Sequence, residues 1–368
     1  MSQDIKQPKA RVLAYYLPQF HPIPENDEWW GKGFTEWTNV GKAKPLFPGH
    51  YQPHVPADLG YYDLRVPETR EAQTQMAREA GVEGFVYWHY WFGNGKRLLE
   101  RPFNEVLASG KPDFPFALAW ANQTWSGSLH GLVKGGTLIE QQYGGETDYR
   151  EHFNALLPAF QDKRYITCDG KPIFMVYDPY SVPNMKGFIE LWRQLAIMNG
   201  LNGVYFIALC QNFYHENEKV AYYNDMMALG FDAINVINLR VDRDQMPFLR
   251  RLWYKIVKTC LGGPMLFDYD DRAFFADLCF EHDNAFPSII PNWDHTPRSG
   301  RKGQVMLHQS PEKFQTTMHK MVEQLQVKPY DKRFIFIKSW NEWAEGNYLE
   351  PDMKYGHAWL DAVKKEVL

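Results

Sequence analysis

The chain reads as an α/β protein whose 368 residues form one (β/α)8 barrel spanning 1–368, with long loops after its strands and an extra helical segment near 240–263. Three observations predict this. About eight short β-branched or aromatic runs alternate with helical runs, and no Ser/Pro-rich linker or low-complexity stretch divides them. Polar residues follow each strand, where barrel enzymes assemble their sites from loops at the C-terminal strand ends. A doubly wound sheet would instead focus its ligand at one switch point.

The first strand, Arg11–Tyr16, is followed by Gln19 and His21 and then by a long Pro- and Trp-rich loop, Phe20–Tyr62. Pro67 opens a helix that stops at Gly81, since proline suits a first turn and glycine a C-terminus. The second strand, Gly84–Trp88, brings His89, Tyr90 and Trp91, and the third, Phe116–Trp120, brings Asn122 and Gln123. Ile173–Tyr177 is the fourth, ended by Asp178, and a helix runs from Pro183 to Gly200. Val204–Leu209 leads to Gln211 and Asn212, and Ala233–Ile237 leads to Asn238. The stretch Arg240–Gly263 is additional, helical around Phe248–Leu261. Ser288–Asn292 delivers Trp293, Asp294 and His295. After Ser310 and Pro311, residues Phe314, Met318, Met321, Val322 and Leu325 recur on one helical face, which should pack outside the barrel. The last strand, Phe334–Lys338, delivers Asn341, Glu342 and Glu345.

A net charge of −4 offers no basic footprint for nucleic acid, and no run of Lys or Arg suggests a membrane surface. No segment reaches the ~20 apolar residues of a membrane span, so membrane insertion is not expected. Met1 to Lys9 is polar and lacks a signal-peptide core, making a cytoplasmic location the default expectation. Cys168, Cys210, Cys260 and Cys279 lack metal-like spacing and read as buried small hydrophobes. Aromatic residues make up 16% of the chain, including 13 Trp and 21 Tyr, more than a core with plentiful aliphatics needs. Aromatic faces stack on sugar rings while amides and carboxylates bond the hydroxyls, so an oligosaccharide or polysaccharide is the expected partner.

Glu342 and Glu345, flanked by Trp340 and Trp343, suit acid/base work on a sugar. On a helical turn, side chains three apart face one way, with Cβ atoms roughly 5–6 Å apart; in an extended segment they would point oppositely. A buried carboxylate without a partner is costly, so Glu342 either meets a cation or serves chemistry. Candidate substrate-binding residues are Tyr15, Gln19, His21, His54, Trp88, His89, Trp120, Asn122, Asp294, Trp340, Asn341 and Trp343. The three histidines read equally well as satisfied structural residues. Asp178 fits a strand terminator and Glu350 a loop brace. His50 with His54 lacks a third ligand at a telling spacing, and no His-Glu-x-x-His motif occurs, so neither a metal nor a cofactor is expected.

Several blocks together resemble the WbsX-type proteins of polysaccharide gene clusters, which are related to the glycoside hydrolase family 99 endo-α-mannosidases. They are Tyr15–Pro22, Gly33–Val40, His50–His54, Ala119–Asn122 and Trp340–Gly346, and they span nearly the whole chain. The resemblance implies a (β/α)8 barrel acting on a glycosidic bond with retention of configuration. It implies that Glu342 is the base that draws a proton from the sugar 2-hydroxyl, so that this oxygen attacks the anomeric carbon and forms a 1,2-anhydro sugar. It implies that Glu345 protonates the leaving oxygen and later activates water. Two departures are visible. Ala344 stands where the endo-mannosidases commonly have His, so the mannoside specificity does not carry over. The loop Trp120–Trp125 has fewer charges than in many relatives, which disfavours an anionic sugar there.

Three functional classes follow. A retaining glycoside hydrolase acting on an α-linked glycan of a bacterial surface polysaccharide needs the two glutamates alone. A glycosyltransferase of O-antigen or capsule assembly would need a nucleotide-sugar site, for which Asp242-Arg243-Asp244 is a short match outside any Rossmann half. A non-catalytic carbohydrate-binding protein would keep the aromatics and tolerate loss of either glutamate.

Overall fold

Parallel strand pairing runs round the chain without a break in the computed structural model, which describes residues 7–127, 136–211, 213, 215–238, 246–269 and 274–368. The strands are β1 (Arg11–Tyr16), β2 (Val82–Trp91), β3 (Phe116–Trp120), β4 (Lys171–Val176), β5 (Tyr205–Gln211), β6 (Ala233–Ile237), β7 (Ala285–Ile289) and β8 (Phe334–Ile337). Each pairs with the next, and β8 returns to β1 through Arg11↔Phe334 and Leu13↔Phe336, which closes the barrel. Nearly every strand residue is buried, as expected of parallel strands covered by helices outside and side chains within.

The surrounding helices are α1 (Pro67–Glu79), α2 (Arg101–Ser109), α3 (Gly145–Phe160), α4 (Met185–Met198), α5 (Glu216–Leu229), α6 (Phe248–Thr259), α7 (Pro311–Leu325) and α8 (Ala358–Val367). In α7 the Ser310 side chain accepts the Lys313 N–H as N-cap, and Phe314, Met318, Met321, Val322 and Leu325 are all buried. Fully burying each such side chain is worth about 1.5–3 kcal/mol, which fixes this helix against the barrel. Among the described residues between β6 and β7, the turn Leu278–Glu281 packs against the β7 wall. Helix α6 lies instead beside a separate parallel pair, Met265–Asp268 with Gln304–Leu307.

Three sequence expectations are corrected. The seventh strand begins at Ala285 rather than Ser288: Pro287, which reads as a boundary because it lacks a ladder donor, pairs with Val236 inside the strand. The segment Phe20–Tyr62 is not all loop, since Pro24–Trp30 and Glu36–Gly41 form short helices. Cys260 is exposed, whereas Cys168, Cys210 and Cys279 are buried free thiols. Among the described residues no helix is long and apolar enough to cross a membrane.

The two ends of the barrel differ in kind. At the N-terminal end of β1, Arg11 stacks on Phe334 and bridges Glu83 and Asp331 at 2.6 Å each. The C-terminal end carries the loop after β8.

Candidate active site at the C-terminal end of the barrel

Glu342 and Glu345 share neither one helix nor one extended segment: the first ends a short strand and the second ends the turn that follows. Asn341–Glu342 pairs antiparallel with Asn347–Tyr348, and the single 3-10 turn Trp343–Glu345 closes the hairpin. Side chains three apart eclipse on a 3-10 turn, so the two carboxyl groups share one side and line one cleft, where each feels the other's charge. Gly346 ends the turn in the left-handed region at φ 52°.

The hairpin is held from behind by Glu350. Its Oε1 accepts Gln73 Nε2 at 2.6 Å and Trp340 Nε1 at 2.8 Å; its Oε2 accepts Trp343 Nε1 at 2.6 Å and Tyr62 Oη at 2.8 Å. Both indoles that flank Asn341-Glu342 are therefore tied inward to one carboxylate. Burial pushes that carboxyl up to about 7 although the four donors pull it down. The reading of Glu350 as a brace agrees with this geometry.

Lys338, at the end of β8, places Nζ 3.6 Å from Glu342 Oε1, and the Trp88 indole donates to the same oxygen at 3.1 Å. Tyr15 stacks beneath Trp88 with centroids 4.8 Å apart and gives its own hydroxyl to Asn235. Arg298, on the short helix Thr296–Ser299, lies 2.5 Å from Glu345 Oε1 and 3.2 Å from Glu36 Oε2. His295 Nε2 is 3.6 Å from the same Glu345 oxygen.

These cations divide the pair. Burial raises both carboxyls; the neighbouring Glu345 charge adds to this for Glu342, which rises to about 8. For Glu345 burial is the largest single influence, but Arg298, His295, Lys338 and Glu342 together overcome it, and the carboxyl falls well below its usual range. One proton thus rests on Glu342 while Glu345 stays ionised, the separation of acid and base expected where two carboxyls share a site. The cleft around them holds about 270 Å³ and is lined by Gln19, Trp88, Tyr90, Gln123, Trp125, Tyr177, His295, Arg298 and Lys338 besides the glutamates.

The profile of the family described as "Glycosyltransferase WbsX" matches residues 12–363. This chain belongs to the WbsX family. Two WxcX proteins of Xanthomonas campestris pv. campestris, from strains B100 and ATCC 33913, are 36% identical over 359 and 361 residues, 97% of this chain and 49% of theirs. The WbsX-family chain thus spans about half the length of these curated relatives. Among solved structures, the GH99 endo-α-mannosidase from Bacteroides thetaiotaomicron superposes with a TM-score of 0.57 at 16% identity, covering 96% of each chain. A glycoside hydrolase-like protein gives 0.62 at 14% identity, covering 99% of this chain and 95% of the other. Both likenesses show the barrel fold.

Of the expected site residues in this WbsX-family chain, Gln19, Trp88, Glu342 and Glu345 line one cleft. Others support it from behind. Asn341 is buried, its side chain accepting from Leu17 N at 2.8 Å and donating to Leu17 O at 3.1 Å. Trp120 donates to Trp91 O, and Asn122 ties the loops after β3 and β4 through Asp178 N and O. His89 meets His152 at 2.8 Å, burial holding both imidazoles well below their usual range. His21 is buried against Pro18 O. Asp294 and His54 border a second cavity of about 460 Å³, where His50 and Gln52 lie 2.7 and 2.6 Å from Asp294 and His54 meets Tyr348 at 2.7 Å. Asn212, Asp242 and Asp244 lie outside the described residues.

Arg298, Lys338, Tyr177 and Trp125 also line the cleft and are absent from the residues expected there. Lys338 stands four before Glu342 at a strand end, which is a usable signal. Arg298 has only an indirect one: a site with two buried glutamates needs a buried cation.

Proposed function

We propose that this WbsX-family chain is a glycan-active enzyme that cleaves an α-linked glycosidic bond in a bacterial surface polysaccharide with retention, using Glu342 and Glu345 as its only catalytic pair. The observation that carries this reading is the pair itself: two buried glutamates three residues apart, one beside Trp88 and Lys338 and the other beside Arg298, in an aromatic cleft at the C-terminal end of a barrel.

The charges favour a division of labour opposite to the one that the family resemblance implies. Glu342 carries the proton and donates it to the leaving oxygen. Glu345 accepts the 2-hydroxyl proton as that oxygen closes on the anomeric carbon. In the second half Glu342, now ionised, takes a proton from the attacking water, and Glu345 returns its proton to the ring-opened oxygen. Both carboxyls end as they began. Trp88 and Lys338 stabilise the charge that Glu342 acquires.

Mass spectrometry of an α-linked oligosaccharide panel, incubated with the protein in parallel with and without nucleotide sugars, tests the class. Shortened products without a donor support hydrolysis; lengthened products only with a donor sink it in favour of transfer, the reading that the family's description supports. No product from the wild type under either condition, with glycan binding that survives in Glu342→Gln and Glu345→Gln, would point to a non-catalytic carbohydrate binder. An activated aryl glycoside then decides the roles, because a good leaving group needs no acid. It should rescue Glu342→Gln and not Glu345→Gln; the reverse restores the roles implied by the resemblance.

A further inference from the structure

Helix α6 buries only Tyr254 and Val257. Phe248, Leu249, Leu252 and Trp253 are exposed by 68%, 77%, 42% and 39%, an unusual load of large apolar side chains for one twelve-residue helix. At 100° per residue these four fall in one continuous arc with Ile256. The helix contains no acidic residue, and its remaining positions include Arg250, Arg251, Lys255 and Lys258. Arg250 pairs with Asp268 at 2.7 Å. Arg251, Lys255 and Lys258 are exposed and gather in a second arc beside the apolar one, with no salt bridge to a described residue. The basic residues are interleaved at helical spacing, which is why no linear run of charge announces them.

We propose that α6 is a peripheral docking helix for an anionic lipid bilayer. It would lie in the interfacial plane, with Phe248, Leu249, Leu252 and Trp253 set among the headgroups and acyl boundary and Arg251, Lys255 and Lys258 against lipid phosphates. The occupant is selected by charge: a protein of net charge −4 sets Arg251, Lys255 and Lys258, which have no salt bridge to a described residue, beside an exposed apolar stripe. The helix also stands at the catalytic end. Trp253 lines the cavity bordered by Asp294 and Tyr348, and Asp294 N–H donates to Glu345 O at 2.7 Å. Docking through α6 turns this end of the barrel toward the bilayer. The proposal does not rest on which glycan reaction the cleft performs.

The test is sedimentation of the full chain with vesicles of phosphatidylglycerol and phosphatidylcholine, against vesicles of phosphatidylcholine alone, at low and high salt. Binding to the anionic vesicles is expected, weakened by salt and accompanied by a blue shift of Trp emission. Two triple variants follow, Phe248→Ser/Leu249→Ser/Trp253→Ser and Arg251→Gln/Lys255→Gln/Lys258→Gln. All six side chains are exposed, and thermal melts confirm that the fold is kept. Each should bind at least tenfold more weakly, and the charge variant by about a hundredfold, at roughly fivefold per basic residue near the surface. Absence of binding to anionic vesicles at low salt overturns the proposal, as does binding undiminished in both variants. Sedimentation velocity covers the other occupant. A wild-type dimer that ignores vesicles and dissociates in the serine variant would mean that a second copy of the chain covers this face.

Discussion

Arg298 sets one guanidinium nitrogen 2.5 Å from Glu345 Oε1 and another 3.2 Å from Glu36 Oε2, so a single buried cation serves carboxylates from two distant loops. Glu36 opens the short helix Glu36–Gly41, inside one of the blocks that carry the family resemblance, and this contact supplies a physical use for it. Arg298→Gln would leave both carboxylates buried without the guanidinium that they share, and Glu345 with only His295 and Lys338 nearby. Breaking such a pair costs about 3–5 kcal/mol. The pH dependence has a definite sign. Because the folded-state value of Glu345 is depressed, its stabilising contribution is present above its unfolded value and is lost as pH falls through the folded one. The gap between wild type and Arg298→Gln should therefore be widest at neutral pH and narrow as pH falls below about 4.5, as followed by urea unfolding from neutral pH into that range. A constant gap would show that Arg298 acts through packing alone.

Glu342 is the opposite case. Its folded value, raised from 4.5 to about 8, makes the protonated form the resting one at neutral pH. This contribution to stability is full below the unfolded value and lost as pH rises through about 8. If Glu342 is the acid, kcat/KM should fall on an alkaline limb near 8, a property of the coupled pair rather than of one residue. Lys338 pulls the Glu342 value down, so Lys338→Met should push the limb to higher pH while lowering the maximal rate. A limb that stays in place in Lys338→Met would assign it to another group.

Glu350 accepts four hydrogen bonds from Tyr62, Gln73, Trp340 and Trp343, and no polar capacity is left over. In Glu350→Gln one oxygen becomes an NH2 group that faces two donors. Each buried donor left unpaired costs about 1–3 kcal/mol, so the variant should lose about 3 kcal/mol in denaturant unfolding. Turnover should drop at least tenfold although Glu350 does not line the cleft, because the two indoles that fix Asn341-Glu342 are released. Unchanged turnover in a destabilised variant would separate the brace from the site.

The strands, the barrel and the glutamate pair were readable in the sequence because each is written locally, in residue type and short spacing. The same locality explains what was misjudged. Trp340 and Trp343 read as sugar platforms, yet Glu350 draws their N–H groups into the core, and their faces meet Phe85 and Tyr348 instead of solvent. His54 and Asp294 follow polar motifs, but His54 spends its side-chain hydrogen bond on Tyr348 and Asp294 spends its own on His50, Gln52 and Thr296. Arg298 went unread because its partners come from residues far away in the chain, and only the course of the long loop after β1 brings Glu36 within reach. The orientation of an aromatic and the partner of a buried charge are tertiary facts, and short motifs do not encode them.

Gly346 offers the sharpest test of how tightly the turn is held. Its φ of 52° disfavours a side chain, and a Cβ built there would lie 2.8 Å from Asp294 N and Cβ and 3.0 Å from Asp294 O. Asp294 cannot yield easily, since His50, Gln52 and Thr296 all bond its carboxylate. Gly346→Ala therefore has to move the Trp343–Glu345 turn, and with it the Glu345 carboxylate away from Arg298. Gly356 supplies the matched control, with φ 54° and nothing within 4 Å of its built Cβ. Gly356→Ala should cost only the left-handed strain, about 1–2 kcal/mol, with kcat unchanged. Gly346→Ala should cost more in unfolding and reduce kcat at least a hundredfold. Equal effects in the two variants would mean that the turn tolerates displacement, and that the contact between Asp294 and Gly346 does not position Glu345.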